Sequence, residues 1–173
     1  MPADMKQIIS SSYLEMAQKK DLDKITVTDL VNHCHISRQC FYYHFNDIYN
    51  VVELLVEQIL KEALTQCQTS QTLEKGLFAF ISTLYENHIL LQKTLHSHQR
   101  DFVEKKLLES IYTYLKEAII LTSPDVTVNL SNSETYLKFC SYGIAGLLIE
   151  HFQSEQPDIP KLVFQISKII KSK

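Results

Sequence analysis

Apolar residues in the N-terminal third of the chain recur at helical spacing rather than in alternation. Between Met5 and Lys19, Ile9, Tyr13, Met16 and Ala17 share one face, which predicts an amphipathic helix whose closing Lys19 and Lys20 suit the negative end of the helix dipole. Leu22 and Ile25 then tuck the connection beneath it. In Ile25-Thr26-Val27-Thr28-Asp29-Leu30, Thr26 has the chemistry of an N-cap, Asp29 is its capping-box-like partner, and Ile25 with Leu30 forms a hydrophobic staple. Val27, Leu30, Val31 and Cys34 repeat at i, i+3, i+4 and i+7, a narrow buried stripe about two turns long. The same start signal recurs at once, with Ser37 as N-cap and Ile36 stapled to Phe41. Two short capped helices around a turn centred on His35 form a helix-turn-helix pattern.

A longer apolar-rich helix is expected from about Ile48 to Gln66, carrying Val52, Leu55, Val56, Ile59, Leu60 and Ala63. The polar stretch between Gln66 and Gln71 breaks the pattern, and further helices are expected near 72–91, 98–121, 132–153 and 159–171. Thr122 to Asn132, with Pro124 and β-branched residues, opposes helix, and Ser131 with Glu134 offers another capping box. The expected fold is all-α, with about eight or nine helices, divided into a three-helix head (residues 1–48) and a helical body (residues 49–173).

Composition agrees with this pattern. Three glycines and four prolines leave little material for β-turns or linkers, and 45% hydrophobic with 21% charged residues is usual for a soluble globular chain. The apolar run at Gly143 to Ile149 falls far short of the roughly 20 residues a membrane span needs. With no basic segment followed by a signal-type apolar stretch at the N-terminus, a cytoplasmic protein without a membrane partner is expected.

Chemistry that depends on clustered side chains finds little support. Cys34, Cys40, Cys67 and Cys140 form no C-x-x-C pair, so buried thiols are expected rather than a zinc ribbon or a disulfide framework. His33, Cys34, His35 and Cys40 stand close in sequence, but neighbouring helical residues point about 100° apart and Cys34 belongs to the buried stripe. No metal and no cofactor are expected. No nucleophile with its base, carboxylate pair or phosphate loop can be assembled, which argues against an enzyme.

Charge gives no general pull toward nucleic acid. The net charge is −3, and up to Ile48 five basic residues face six acidic ones. Any DNA-binding role must rest on geometry, which the second short helix supplies. Phe41 and Phe45 share its inner face with His44 at the flank, while Gln39 and Tyr43 point outward beside Tyr42 and Cys40, and Arg38 projects from the first turn. Arginine pairs with guanine edges, glutamine with adenine, and tyrosine hydroxyls reach phosphates.

The segment Ile25 to Leu55 resembles the DNA-binding head of the TetR family, most specifically over Ser37 to Phe45. The stretch Phe41 to Tyr49 is also similar to a subgroup that includes activators of dihydroxyacetone kinase operons. The resemblance implies that Thr26 and Thr28 touch phosphates, and that Arg38, Gln39, Tyr42, Tyr43 and His44 lie in or beside the major groove. Three positions depart from the family pattern: His35 replaces a usual turn glycine, Cys40 a common threonine, and Ile48 a lysine that often meets phosphate. His35 must then turn left-handed or reshape the turn. Few released counterions predict weak nonspecific affinity.

For the body, the resemblance implies a ligand pocket among the middle helices, with Tyr85, His88, Phe102 and Tyr112 as candidate lining and His96, His98 and Tyr114 nearby. The alternative is an ordinary helical core with surface histidines. Two-fold dimerisation through the last two helices is also implied, with Tyr136, Phe139, Gly143, Gly146, Leu147, Leu162 and Ile166 at the interface. An intramolecular helix pair would use the same residues. The expected function is a homodimeric repressor on a pseudo-palindromic operator, released by a small-molecule effector. An activator or co-regulator of the same fold, working through a protein partner, is the alternative.

Overall fold

The computed structural model describes residues 4–122, 130–152 and 158–171, and every regular element among them is helical. The order is α1 (Met5–Lys19), a 3-10 turn (Leu22–Lys24), α2 (Val27–Cys34), α3 (Arg38–His44), α4 (Ile48–Gln68), α5 (Leu73–Glu86), α6 (His88–Leu95), α7 (Arg100–Thr122), α8 (Leu130–Phe152) and α9 (Ile159–Lys171). The chain divides into two compact units. Met1–Gln58 joins Ile89–Val103 in the first, and Ile59–His88 joins Glu104–Lys173 in the second.

In the first unit α1 packs on both α2 and α3. Ile9, Tyr13 and Ala17 of α1, Leu30 and Val31 of α2, and Phe41 with Phe45 are all buried. These positions are among those the helical periodicity selects, because a period of 3.6 turns one stripe of each helix inward; Met16, Val27 and Cys34, selected with them, are only half-buried. The capping signals hold as well: Thr26 closes a full capping box with Asp29, and the Ser37 side chain accepts from the Cys40 N–H.

His35 ends α2 in the left-handed region, at φ 55 and ψ 39. Its N–H donates to the Asn32 carbonyl at 3.3 Å and the Ile36 N–H donates to that of Val31 at 3.0 Å, the paired bonds of a Schellman ending. The turn therefore keeps the shape that glycine normally provides, at the cost of a Cβ held against a carbonyl. A left-handed residue other than glycine costs roughly 1–2 kcal/mol, part of which glycine would lose again through its freer unfolded chain. His35→Gly is expected to raise unfolding stability by about 0.5–1 kcal/mol at an unchanged m-value, read from urea denaturation.

Three boundaries differ from the sequence expectation. The single helix expected over 72–91 is two, α5 and α6, parted at Asn87. There the Asn87 N–H donates to the Leu84 carbonyl at 3.2 Å and its side-chain amide to that of Thr83 at 3.0 Å. A short polar side chain that bonds the last carbonyls competes with the next helical turn and ends the helix. Further along, α7 begins at Arg100. α8 begins at Leu130, which puts Ser131 inside the helix instead of at its cap, and Glu134 pairs with Lys138 at 2.7 Å. Pro124, expected to break the helix, lies outside the described residues.

In the second unit α5 packs against α9. Leu77, Phe80, Ile81 and Leu84 of α5 are buried, as are Leu162, Val163 and Ile166 of α9. Tyr114 of α7 stacks on Phe80 with ring centres 6.1 Å apart, and its hydroxyl donates to the Leu73 carbonyl at 2.8 Å. A Cβ at Gly76 would collide with that hydroxyl, so close approach of the tyrosine requires glycine there.

Candidate nucleic-acid interface

α3 is only seven residues long, and its seat is aromatic. Phe41 is fully buried, with the Phe45 ring stacked on it at 5.8 Å and the Tyr42 ring meeting its edge at 5.3 Å. Lys6 of α1 lies over the outer side of Phe45, its ammonium 5.8 Å from the ring centre. With the inner face filled in this way, the polar residues of α3 have no room inward. Gln39 and Arg38 are exposed, Tyr42 is 52% exposed and Tyr43 is 85% exposed. His44 is half-buried, its ring at right angles to that of Tyr43 and 4.9 Å away.

The start of α2 meets the same surface. The Asp29 N–H donates to the Thr26 hydroxyl at 3.1 Å, and the Thr26 N–H donates to the Asp29 carboxylate at 3.2 Å. The Thr26 N–H, and after it the Thr26 hydroxyl, hold the Asp29 carboxyl below the usual carboxylate range. The Arg38 guanidinium donates to the Thr28 hydroxyl, tying the first turn of α3 to the first turn of α2. Thr26, Thr28, Arg38, Gln39, Tyr42 and Tyr43 are all exposed side chains of the two short helices.

Sequence reading missed part of this surface. Lys6, Asn46 and Asn50 line a cleft of about 360 Å³ together with Tyr42, Tyr43, His44, Glu53 and Glu57. Lys6 is more than thirty residues from α3, so no local pattern links the two. Its position on the exposed side of α1, one turn before Ile9, was the available signal.

The four candidate ligand residues lie on α5, α6 and α7. Tyr85 and His88 stack at 4.7 Å, with His88 Nδ1 2.7 Å from the Tyr85 carbonyl. Tyr112 lines a cleft of about 400 Å³ with Leu108, Glu109, Glu134, Lys138 and Tyr142, which neither Tyr85 nor His88 lines. Phe102 is half-buried in the first unit, whereas the other three belong to the second.

Of the residues expected at a dimer interface, Phe139, Gly143, Gly146 and Leu147 are exposed on α8, and Tyr136 is half-buried with its hydroxyl donating to the Ile170 carbonyl at 3.1 Å. Leu162 and Ile166 are different: both are buried in the protomer's own core, while Phe164, on the opposite face of α9, and Ile169, near its end, are exposed. Tyr142 and Phe164 are exposed apolar residues that the sequence pattern did not single out.

Among the described residues no three metal-ligating side chains converge. No helix among them is long and apolar enough to cross a membrane. All four cysteines are free, and burial pushes the Cys67 thiol up to about 11, with Glu117 adding to the shift. That thiol stays protonated and poorly nucleophilic near neutral pH.

Comparison with known proteins gives this arrangement its context. The family model described as Transcriptional regulator C-terminal region (TetR_C_8) matches residues 71–172, more than half of the chain. The chain belongs to the TetR family of transcriptional regulators. Among solved structures, this TetR-family chain is similar to the dihydroxyacetone kinase operon activator DhaS at 20% identity and TM-score 0.76, covering 95% of this chain and 93% of that one. It is also similar to a TetR transcriptional regulator from Streptococcus agalactiae 2603V, at 16% identity and TM-score 0.73 over 95% and 92% of the two chains. A third is a transcriptional regulator from Aquifex aeolicus VF5, at 18% identity and TM-score 0.65 over 97% and 98%. At these identities the likeness establishes the all-α TetR fold. No curated protein matches the chain.

Proposed function

We propose that this TetR-family chain is a cytoplasmic, ligand-responsive repressor that binds a pseudo-palindromic operator as a homodimer, with α3 of each protomer in the major groove. The observation that carries the reading is the outward row of Arg38, Gln39, Tyr42 and Tyr43 on a helix whose inner face is fixed by buried Phe41 and Phe45. Gln39 reads a base edge, Arg38 with Thr28 and Thr26 faces backbone and groove wall, and Tyr42, Tyr43 and His44 reach phosphates. Two such helices on a two-fold axis must stand about 34 Å apart to enter successive major grooves.

In this reading residues 1–48 carry DNA contact, and residues 49–173 carry dimerisation and effector response. The effector remains assigned to the body, with Tyr85, His88, Phe102 and Tyr112 as candidates; the cleft beside Tyr112 is the opening that supports it. No catalytic role is assigned. An activator working through a protein partner is the second reading, favoured by the head's excess of acidic over basic residues up to Ile48, five positive against six negative. A small cationic surface releases few counterions and leaves affinity to be supplemented elsewhere.

A gel-shift titration with DNA from upstream of the chain's own gene tests the first reading. Gln39→Ala and Tyr43→Ala should each cost about 1–3 kcal/mol of specific affinity, with nonspecific binding left nearly unchanged for Gln39→Ala. A wild-type chain with no sequence preference at low salt would count against it and in favour of a protein partner. Expression of the adjoining genes then separates the signs: deletion raises it for a repressor and lowers it for an activator.

A further inference from the structure

Lys93 sits half-buried on α6, yet its ammonium is spent at the far end of α1. It donates to the carbonyl of Ala17 at 2.5 Å, of Lys20 at 3.0 Å and of Gln18 at 3.5 Å. A lysine ammonium has three donors and no acceptor, and the last carbonyls of a helix lack partners within it. One side chain from a segment more than seventy residues downstream therefore caps α1, and its charge meets the negative end of that helix's dipole. The same downstream segment is tied to this unit twice more. His98 Nδ1 lies 3.2 Å from the Asp23 carboxylate, and the Gln99 amide donates to the Tyr49 carbonyl at 3.1 Å.

From this cap a short series of contacts leads to the helices of the DNA-reading surface. Lys20, whose carbonyl Lys93 holds, has its own ammonium 3.8 Å from the Asp29 carboxylate. Asp29 closes the capping box that starts α2, and Thr28 beside it takes the Arg38 guanidinium at the start of α3. Lys93 itself does not line the cleft beside Tyr42 and Tyr43.

We propose that Lys93 is a positioning residue for DNA recognition: by capping α1 it fixes the α1–α2 connection, and with it the seat of α2 and the angle of α3. The proposal rests on the DNA-binding reading above. It makes Ile89–Val103 a working part of the recognition unit, although these residues lie far beyond the helix-turn-helix in sequence.

The test uses the full chain with Lys93→Met, which keeps the stem and removes the donors, and Lys93→Arg, which keeps donors. Operator affinity is titrated at several salt concentrations, and hydrogen exchange is measured on the protein without DNA. Lys93→Met is expected to weaken operator binding about tenfold, within the range of mutations that act through packed networks. The slope of log affinity against log salt should stay unchanged, because no phosphate contact is lost. Amides from Ile25 to Asp29 should exchange faster in the free protein, and Lys93→Arg should restore both readouts. Combined with Asp29→Asn, Lys93→Met should add less than its separate effect, as expected for contacts in one series. Unchanged affinity in a folded Lys93→Met protein overturns the proposal, and so does a loss of about one unit in the salt slope, which would mark a direct phosphate contact. Failure of the wild-type chain to bind any operator overturns the DNA-binding reading itself, a result visible before any variant is made.

Discussion

Phe41→Ala is expected to remove about 3–5 kcal/mol of stability and to abolish sequence-specific DNA binding with it. Domains of this kind hold a total of about 5–15 kcal/mol, so a single substitution would spend a large fraction of it. The size follows from the site. Phe41 has no exposed surface, stacks on Phe45 and takes the edge of Tyr42, so truncation empties a volume that α3 cannot refill. A helix of seven residues has no independent stability in water and exists because its apolar face is held. Loss of that face should release Gln39, Tyr42 and Tyr43 from any fixed geometry. Urea denaturation followed by circular dichroism measures the first effect, and an operator titration at a temperature where the variant is still folded measures the second. Phe41→Leu provides the scale, keeping most of the volume and costing about 1.5 kcal/mol or less. A cost under about 1 kcal/mol for Phe41→Ala would mean that α3 is held by something other than its aromatic seat.

The parts of the fold that were legible in the sequence are those fixed by neighbours within one or two helical turns. The Thr26–Asp29 capping box and the Ser37 cap each follow from side chains within three residues of the position they shape, whereas for His35 the family resemblance left a left-handed residue and a reshaped turn both open, and the structure has the first. The outward face of α3 was legible for the same reason: once Phe41 and Phe45 are taken as the inner pair, the period of 3.6 dictates where Gln39 and Tyr43 point. Asn87 was not legible, because the apolar pattern runs through it from Leu84 to Leu90 and Leu91 without a change of period. The orientation of α9 failed for another reason. Its apolar face, with Leu162, Val163, Ile166 and Ile170, is plain in the sequence, but periodicity cannot tell whether that face meets the protomer's own α5 or a second protomer; burial puts it inward, against α5. Lys93 left no trace at all, since a lysine on a half-buried helix reads as solvated until the end of α1 is found beside it. The outward residues of α3 form a local pattern, whereas no local pattern connects the ligand candidates Tyr85, His88, Phe102 and Tyr112, which are spread over α5, α6 and α7.

A chain carrying both Gly143→Arg and Gly146→Arg is expected to remain folded, to be monomeric, and to lose about 10²–10⁴-fold in operator affinity. Phe139, Tyr142, Gly143, Gly146 and Leu147 follow one another at spacings of three, one, three and one along α8, which makes a single exposed stripe. A Cβ added at either glycine meets nothing within 4 Å, so the protomer itself gives no reason for glycine there. Each glycine in a helix interior costs about 0.8–1.0 kcal/mol relative to alanine. Substitution should therefore leave protomer stability equal or higher if it acts within one chain. The cost of keeping glycine becomes intelligible if a second helix approaches the backbone closely between Phe139 and Tyr142 on one side and Leu147 on the other. In that case long charged side chains at both positions separate the partners without disturbing the core of either. Affinity then falls because the second half-site is no longer bound intramolecularly, while contacts made by each α3 are intact. Sedimentation at micromolar concentration, a thermal melt and an operator titration read the three effects separately. A double variant that still sediments as a dimer would move the interface away from α8. A monomeric variant with full operator affinity would show that two-fold pairing is not what gives this regulator its grip.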